Sequence, residues 1–312
     1  MNPVRAGSTS IEFPLWPRPF RPGAKVALVA PAGPLGPDRI TLSEERCRSL
    51  GLAPVVYPSA RLRSGFLAGP DEDRLRDLQS AFDDPAVDGV WALRGGYGSM
   101  RIVDRLDLRR QLRDPIPFVG FSDNTTLHVR HHALGIVSFH GPHPGGDFPP
   151  EAEAAFRRVL FSASPSGPLS AGPDDPAPRT LVPGQARGRL FGGNLATLAA
   201  LCGGSDRLDG RGHILFLEDL GEPAYRVDRM LTQLARAGVL DGISGLAFGR
   251  FTDCPDGQDD AVAEVLRETA QRVGVPAVAD LPFGHVAHNL TLPVGGPALL
   301  DADGSALVLE AP

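Results

Sequence analysis

Residues 116–124, Ile-Pro-Phe-Val-Gly-Phe-Ser-Asp-Asn, read as a short buried strand broken by a turn. Five apolar or small residues (116–120) suit a strand covered on both faces. A helical pattern follows to Leu134 and is stopped by Gly135. Strand, sharp turn and helix in that order are half of a βαβ unit, so the neighbouring sequence should hold the rest. It does. Residues 89–93 (GVWAL) form a second such run, ending in 94–98 (RGGYG), and 26–30 (VALVA) form a third; 55–57 is a short fourth. Between them, residues 40–50 and 71–82 read as helices. The second opens on acidic residues and places Leu75, Leu78 and Phe82 on one face. Residues 151–160 close this half as a last helix. The expected fold class is α/β: a mostly parallel N-terminal sheet flanked by helices, plus a second, smaller α/β domain.

The boundary between them shows as a change of composition. Residues 162–184 are rich in Pro, Ser, Gly and Asp and have no apolar period, which predicts a linker or surface crossover. Beyond it, 194–201, 225–237 and 261–273 read as helices, and 213–217, 245–248 and 277–281 as strands. Asp303-Gly304 reads as the turn of a terminal hairpin. The expected division is an extended arm at 1–22, with Trp16 and Phe20 docking on the body. An α/β domain at 23–161, the linker, and a C-terminal domain at 185–312 follow.

Bulk properties narrow the function. The chain has 312 residues and a formal net charge of -6, which argues against a broad nucleic-acid surface. Its three cysteines (Cys47, Cys202 and Cys254) are scattered with no CxxC pair. That predicts a reducing, cytoplasmic setting and no thiolate metal site. The early apolar run 25–30 is too short to span a membrane and meets Pro31 directly. Prolines at 14, 17, 19 and 22 interrupt any secretory-type apolar core.

Several windows could carry chemistry. Ser122, after a strand and a glycine, fits a nucleophile held at a helix N-terminus, though on this window alone a helix cap is the commoner reading. Asn124 stands where GxSxG has its second glycine, which counts against an α/β-hydrolase. In Gly95-Gly96-Tyr97-Gly98, glycines allow backbone N–H groups to approach a substrate; a structural turn and a phosphate loop are the rival readings. The phosphate loop lacks a following GKS or GKT. Glu218 ends the apolar run 213–217 and is placed to orient an imidazole, with Asp219 and Glu222 as competitors. His285 follows Pro282-Phe283-Gly284 at a strand end. His128 and His132 share a helix face, with His140 and His143 nearby, but no HExxH glutamate accompanies them. No motif asks for a metal or other cofactor.

Together these windows resemble the LD-carboxypeptidases, a family that also includes the microcin C self-immunity peptidases. The resemblance rests on residues 67–70 (LAGP), 94–98 (RGGYG), 120–123 (GFSD), 140–142 (HGP), 192–195 (GGNL), 215–219 (LFLED), 228–231 (DRML) and 284–295 (GHVAHNLTLPVG). It implies a serine peptidase whose triad is Ser122, Glu218 and His285, with the nucleophile on the N-terminal domain and its partners on the C-terminal one. It implies oxyanion donors at the Asp123 and Gly96 amides, and His288 as a bystander. Phe121 stands where the family usually has tyrosine. The implied substrate is a muropeptide tetrapeptide, from which a C-terminal D-alanine is released in peptidoglycan recycling by a homodimer. Gly95, Tyr97 and Arg94 are the expected substrate contacts, with Arg226 a second candidate for the terminal carboxylate. The rival expectations are a peptidase for peptidyl nucleotides, a non-catalytic peptide-binding protein, and a metal hydrolase built on His128, His132, His140 and His143.

Overall fold

The computed structural model describes residues 14–170, 172, 175–255 and 259–312. The first half runs β1 (Lys25–Val29), α1 (Pro37–Ser49), β2 (Ala53–Val56), α2 (Asp71–Asp83), β3 (Gly89–Ala92), β4 (Phe118–Gly120), α3 (Thr125–Ala133), β5 (Ser138–His140) and α4 (Pro150–Leu160). The second runs β6 (Gly167–Pro168), β7 (Arg179–Val182), β8 (Gln185–Asn194), α5 (Leu195–Leu201), β9 (His213–Leu220), α6 (Ala224–Arg236), β10 (Gly245–Thr252), α7 (Asp259–Val273), β11 (Ala277–Ala279), β12 (Leu292–Val294), β13 (Pro297–Asp301) and β14 (Ala306–Leu309).

The first sheet has the order β12-β5-β4-β3-β1-β2, parallel except for β12. Its strands are apolar on both faces because both are covered. On β3, Trp91 stacks on Phe156 of α4 at 4.6 Å on one side, while Val90 and Ala92 pack with Leu78 and Phe82 of α2 on the other. The indole N–H of Trp91 donates to the Pro142 carbonyl at 2.9 Å, so its one polar atom is satisfied in the core. The strand order reverses between β1 and β3, and in open α/β sheets the crevice at such a reversal takes the ligand.

The second sheet has the order β6-β14-β13-β8-β9-β10-β11-β7, with β8 to β11 parallel. Leu215 and Leu217 of β9 face Leu231 and Leu234 of α6, whereas Ile214 and Phe216 join the core that also holds Trp91 and Phe139 of the first sheet. The two sheets therefore share one apolar layer.

Three features depart from the sequence expectation. Residues 162–184 are not purely a linker: β6 and β7 lie there and edge the second sheet on opposite sides, pairing antiparallel with β14 and β11. Residues 292–294, read as part of the C-terminal domain, return to the first sheet as β12, antiparallel to β5. Short edge strands are set by distant partners rather than by local pattern, so neither was legible. Finally, β9 continues past Leu217 to Leu220, because Glu218 pairs with Asn194 of β8 and Asp219 with Phe251 of β10. Of the arm, residues 1–13 lie outside the described residues. Beyond them, Trp16 sits 6.4 Å from Phe139 and Phe20 meets Phe161 edge-on at 5.7 Å.

Candidate active site

β4 ends at Gly120, and the chain turns so sharply that Ser122 takes φ +64°. A left-handed conformation costs a non-glycine residue about 1–2 kcal/mol, so the fold must hold it there. Ser122 is not a cap: α3 begins at Thr125, and no side-chain hydrogen bond caps either it or the turn before it. Its hydroxyl points instead at the second half of the chain.

There the Ser122 Oγ lies 3.2 Å from His285 Nε2, and His285 Nδ1 lies 2.6 Å from Glu218 Oε2. With Nδ1–H donating to the carboxylate, Nε2 turns its lone pair to the serine hydroxyl. Glu218 is wholly buried at the end of β9. The choice between it and Asp219 follows from strand alternation, which sends neighbouring side chains to opposite faces. Asp219 turns away and accepts from Asn194 Nδ2 at 2.8 Å and from the Ala196 N–H at 2.9 Å. Glu222, the third competitor, pairs with Arg226 at 3.5 Å.

Close packing fixes the imidazole. Gly284 has φ +109°, and a Cβ there would stand 2.8 Å from Glu218 Oε2. Its N–H donates to Asn289 Oδ1 at 3.0 Å. The Phe121 ring lies 4.9 Å from the His285 ring and 4.2 Å from that of His143. Burial disfavours the His285 cation, but the hydrogen bond and charge of Glu218, helped by Asp219 and Asp253, more than offset it and raise the ring above its ordinary value. Asp219 itself is pushed up to about 6 by burial and by the charge of Glu218.

The glycine loop meets the serine from the other side. A Cβ on Gly95 would stand 2.8 Å from Ser122 Oγ and 3.2 Å from the Asp123 nitrogen, so only glycine fits. Gly96 follows with φ +107°. The Gly95 carbonyl accepts from the Gly33 N–H at 3.0 Å. Asp123 ties the loop to the turn: its carboxylate accepts from the Ser99 N–H at 2.9 Å and its carbonyl from the Ser99 hydroxyl at 2.7 Å. Ser122, Asp123, Gly95 and Gly96 are thus brought together. Tyr97 is exposed beside them. Arg94 donates to the Pro34 carbonyl at 3.0 Å, and its own carbonyl accepts from Asn124.

Two supporting residues escaped the sequence reading. Arg74 of α2 is entirely buried; it donates to the carbonyl of Pro31, to that of Gly98 at 2.9 Å, and to Asp71. It joins the loop after β1 to the loop after β3. His288, taken as a bystander, has Nδ1 3.2 Å from Asp175 and Nε2 3.6 Å from Glu151 of α4. It therefore connects the loop that carries His285 to both the 162–184 segment and the first half.

The other histidines serve packing. His128 has both ring nitrogens engaged, at 2.8 Å with Ser138 Oγ and at 2.8 Å with the Gly120 carbonyl, so it has no lone pair to give a metal. His132 lies against Phe191, His140 against Phe121 and Phe216, and His143 against Phe121. Burial holds His128 and His143 down to about 3 and His132 to about 4.

Known proteins resemble this arrangement over most of its length. Residues 26–141 match the LD-carboxypeptidase N-terminal domain, and residues 187–300 match the LD-carboxypeptidase C-terminal domain. The murein tetrapeptide carboxypeptidase of Pseudomonas aeruginosa is 37% identical, over 89% of this chain and 94% of that protein. The crystal structure of muramoyltetrapeptide carboxypeptidase from Oxalobacter formigenes superposes with a TM-score of 0.80 at 32% identity, covering 92% of this chain and 98% of the other. The microcin C7 self-immunity protein MccF shares the fold, with a TM-score of 0.83 at 22% identity over 95% of this chain and 98% of its own. Both halves of the family pattern being present in order, this chain belongs to the LD-carboxypeptidase family.

Proposed function

We propose that this chain is a serine-type LD-carboxypeptidase of the cytoplasm, releasing the C-terminal D-alanine from muropeptide tetrapeptides during peptidoglycan recycling. The observation that carries the reading is the unbroken hydrogen-bond chain from Ser122 Oγ through His285 to Glu218. The murein tetrapeptide carboxypeptidase among its relatives supports the substrate class.

In this reading His285 Nε2 takes the hydroxyl proton as Ser122 Oγ attacks the carbonyl carbon of the terminal peptide bond. Glu218 holds the ring and faces the imidazolium that forms. The carbonyl oxygen gathers negative charge against the Asp123 and Gly96 amides, the oxyanion donors of this reading. The tetrahedral adduct collapses, the C–N bond breaks, and the leaving amine takes the proton from His285. Water then attacks the acyl-serine ester with the same imidazole as base, freeing the shortened peptide and the hydroxyl. A protein that only bound peptides would need neither a serine strained at φ +64° nor an imidazole held between it and a buried carboxylate.

Ser122→Ala abolishes D-alanine release from a muropeptide tetrapeptide, read by amino-acid analysis, while the circular dichroism spectrum stays that of the wild type. Turnover by the variant at the wild-type rate would refute the assignment. Cleavage of an aminoacyl sulfamoyl adenylate in place of the tetrapeptide would move the substrate to the nucleotide class.

A further inference from the structure

Beside the candidate site the surface breaks an ordinary rule. Phe66 is 64% exposed and Tyr97 47%, and their rings lie 5.8 Å apart. Large exposed aromatic groups that touch one another usually mark a surface that something covers. This pair does not stand on a loose loop. Ser64 and Leu67 exchange both backbone hydrogen bonds, at 2.9 and 3.0 Å, so residues 64–67 form a tight hairpin with Gly65 at φ +60° and Phe66 at its tip. Behind the tip Leu67 is buried so close to the glycine loop that a Cβ on Gly98 would meet it at 2.6 Å. The Ala68 N–H donates to the Ala32 carbonyl at 2.9 Å. The platform is therefore bolted to the loop that touches Ser122. Tyr97 follows Gly95 by two residues, which puts its Cα within about 8 Å of the Gly95 Cα.

Charge adds a second, independent observation. Arg61 and Arg63 lie just before the hairpin, both exposed, and neither side chain makes an ion pair or hydrogen bond among the described residues. Most other arginines near this edge are engaged: Arg74 and Arg101 with Asp71, Arg105 with Glu72, Arg94 with Pro34. On a chain of net charge -6, two unpaired guanidinium groups within five residues of Phe66 have the chemistry that pairs with carboxylates.

We propose that Arg61, Arg63, Phe66 and Tyr97 form the substrate-recognition wall of the site, receiving an acidic peptide whose free carboxylates pair with the two arginines while its carbon faces lie on the two rings. This rests on the serine peptidase reading for its position beside Ser122, and it names residues outside those the family resemblance implied, Tyr97 excepted.

The test uses the full chain carrying Ser122→Ala, so that peptide is bound and not cut. Calorimetry compares an acidic muropeptide tetrapeptide with its analogue in which the free side carboxylates are amides. Adding Arg61→Ala and Arg63→Ala weakens the acidic peptide at least tenfold and the amidated one less than twofold; adding Phe66→Ala weakens both about equally. Raising the salt from about 0.05 to 0.5 M weakens the acidic peptide only when the arginines are present. Unchanged affinity for the acidic peptide in the arginine variant, or no measurable binding before the arginines are removed, would overturn the proposal. So would sedimentation showing that these changes split an assembly of copies while peptide binding is untouched. D-alanine release by the wild type separates the two claims. Release with indifferent arginines sinks this wall alone, and arginine-dependent binding without release sinks the peptidase reading alone.

Discussion

In the proposed peptidase, activity depends on the protonation of one ring. His285 must be neutral to take the serine proton, and its surroundings raise its titration above the ordinary histidine value near 6.5. Below that titration the ring is already protonated and the site is idle. The limb of kcat/KM that rises with pH therefore has its midpoint above 6.5. Asp219 is one of the negative charges responsible, and it is itself charged only above about 6. Asp219→Asn removes that charge, so the midpoint moves toward acid, read from kcat/KM between pH 5 and 9. The same substitution tests a stability effect of fixed sign. A carboxyl raised to about 6 in the fold stabilises it fully below the unfolded value of 3.8, and that contribution is lost as pH rises through about 6. In Asp219→Asn the fall in stability across this window is shallower than in the wild type, read by urea unfolding.

At the scale of elements, the site is a meeting of strand ends held by a buried cation. Arg74 joins the carbonyls of Pro31 and Gly98, so the loops after β1 and β3 move as one piece. Arg74→Met takes a donor from both buried carbonyls, of which that of Gly98 keeps the Arg101 N–H at 3.2 Å. It should cost about 1–3 kcal/mol of stability and lower kcat more than it raises KM, because the glycine loop proposed to hold the oxyanion loses its support. Urea unfolding and steady-state kinetics read the two effects; an unchanged kcat would show that the loop holds itself. This element also shows where sequence reading stops. The turn at Ser122 and the alternation of strand and helix were legible because each is written in local pattern. Arg74 sits in a run of charged residues (DEDRLRD) that looks like a solvated helix, and only tertiary packing reveals that it is inside. The 162–184 edge strands and the return of 292–294 to the first sheet depend on partners about 100 residues away or more, so no local pattern announces them. Glu218 and Asp219 were both candidates. The continuation of β9 by three residues separated them by face, which no composition could do.

At the scale of the whole molecule, neither half is complete alone. The serine and its glycine loop come from the first sheet, the carboxylate and imidazole from the second, and the apolar layer they share fixes the distance between them. Two further ties join the halves: β12 pairs with β5, and His288 links the loop that carries His285 to Glu151 of α4 and to Asp175. A hydroxyl–imidazole–carboxylate arrangement spanning two sheets can act only if the resting fold holds both sides in register. The most direct measurement is labelling of the resting protein with a fluorophosphonate, followed by mass spectrometry of its peptides. One adduct on Ser122, formed in the wild type and slowed at least a hundredfold in His285→Ala, is the result this geometry predicts. A folded wild type that takes no label at Ser122, or labels there as fast without His285, would contradict it.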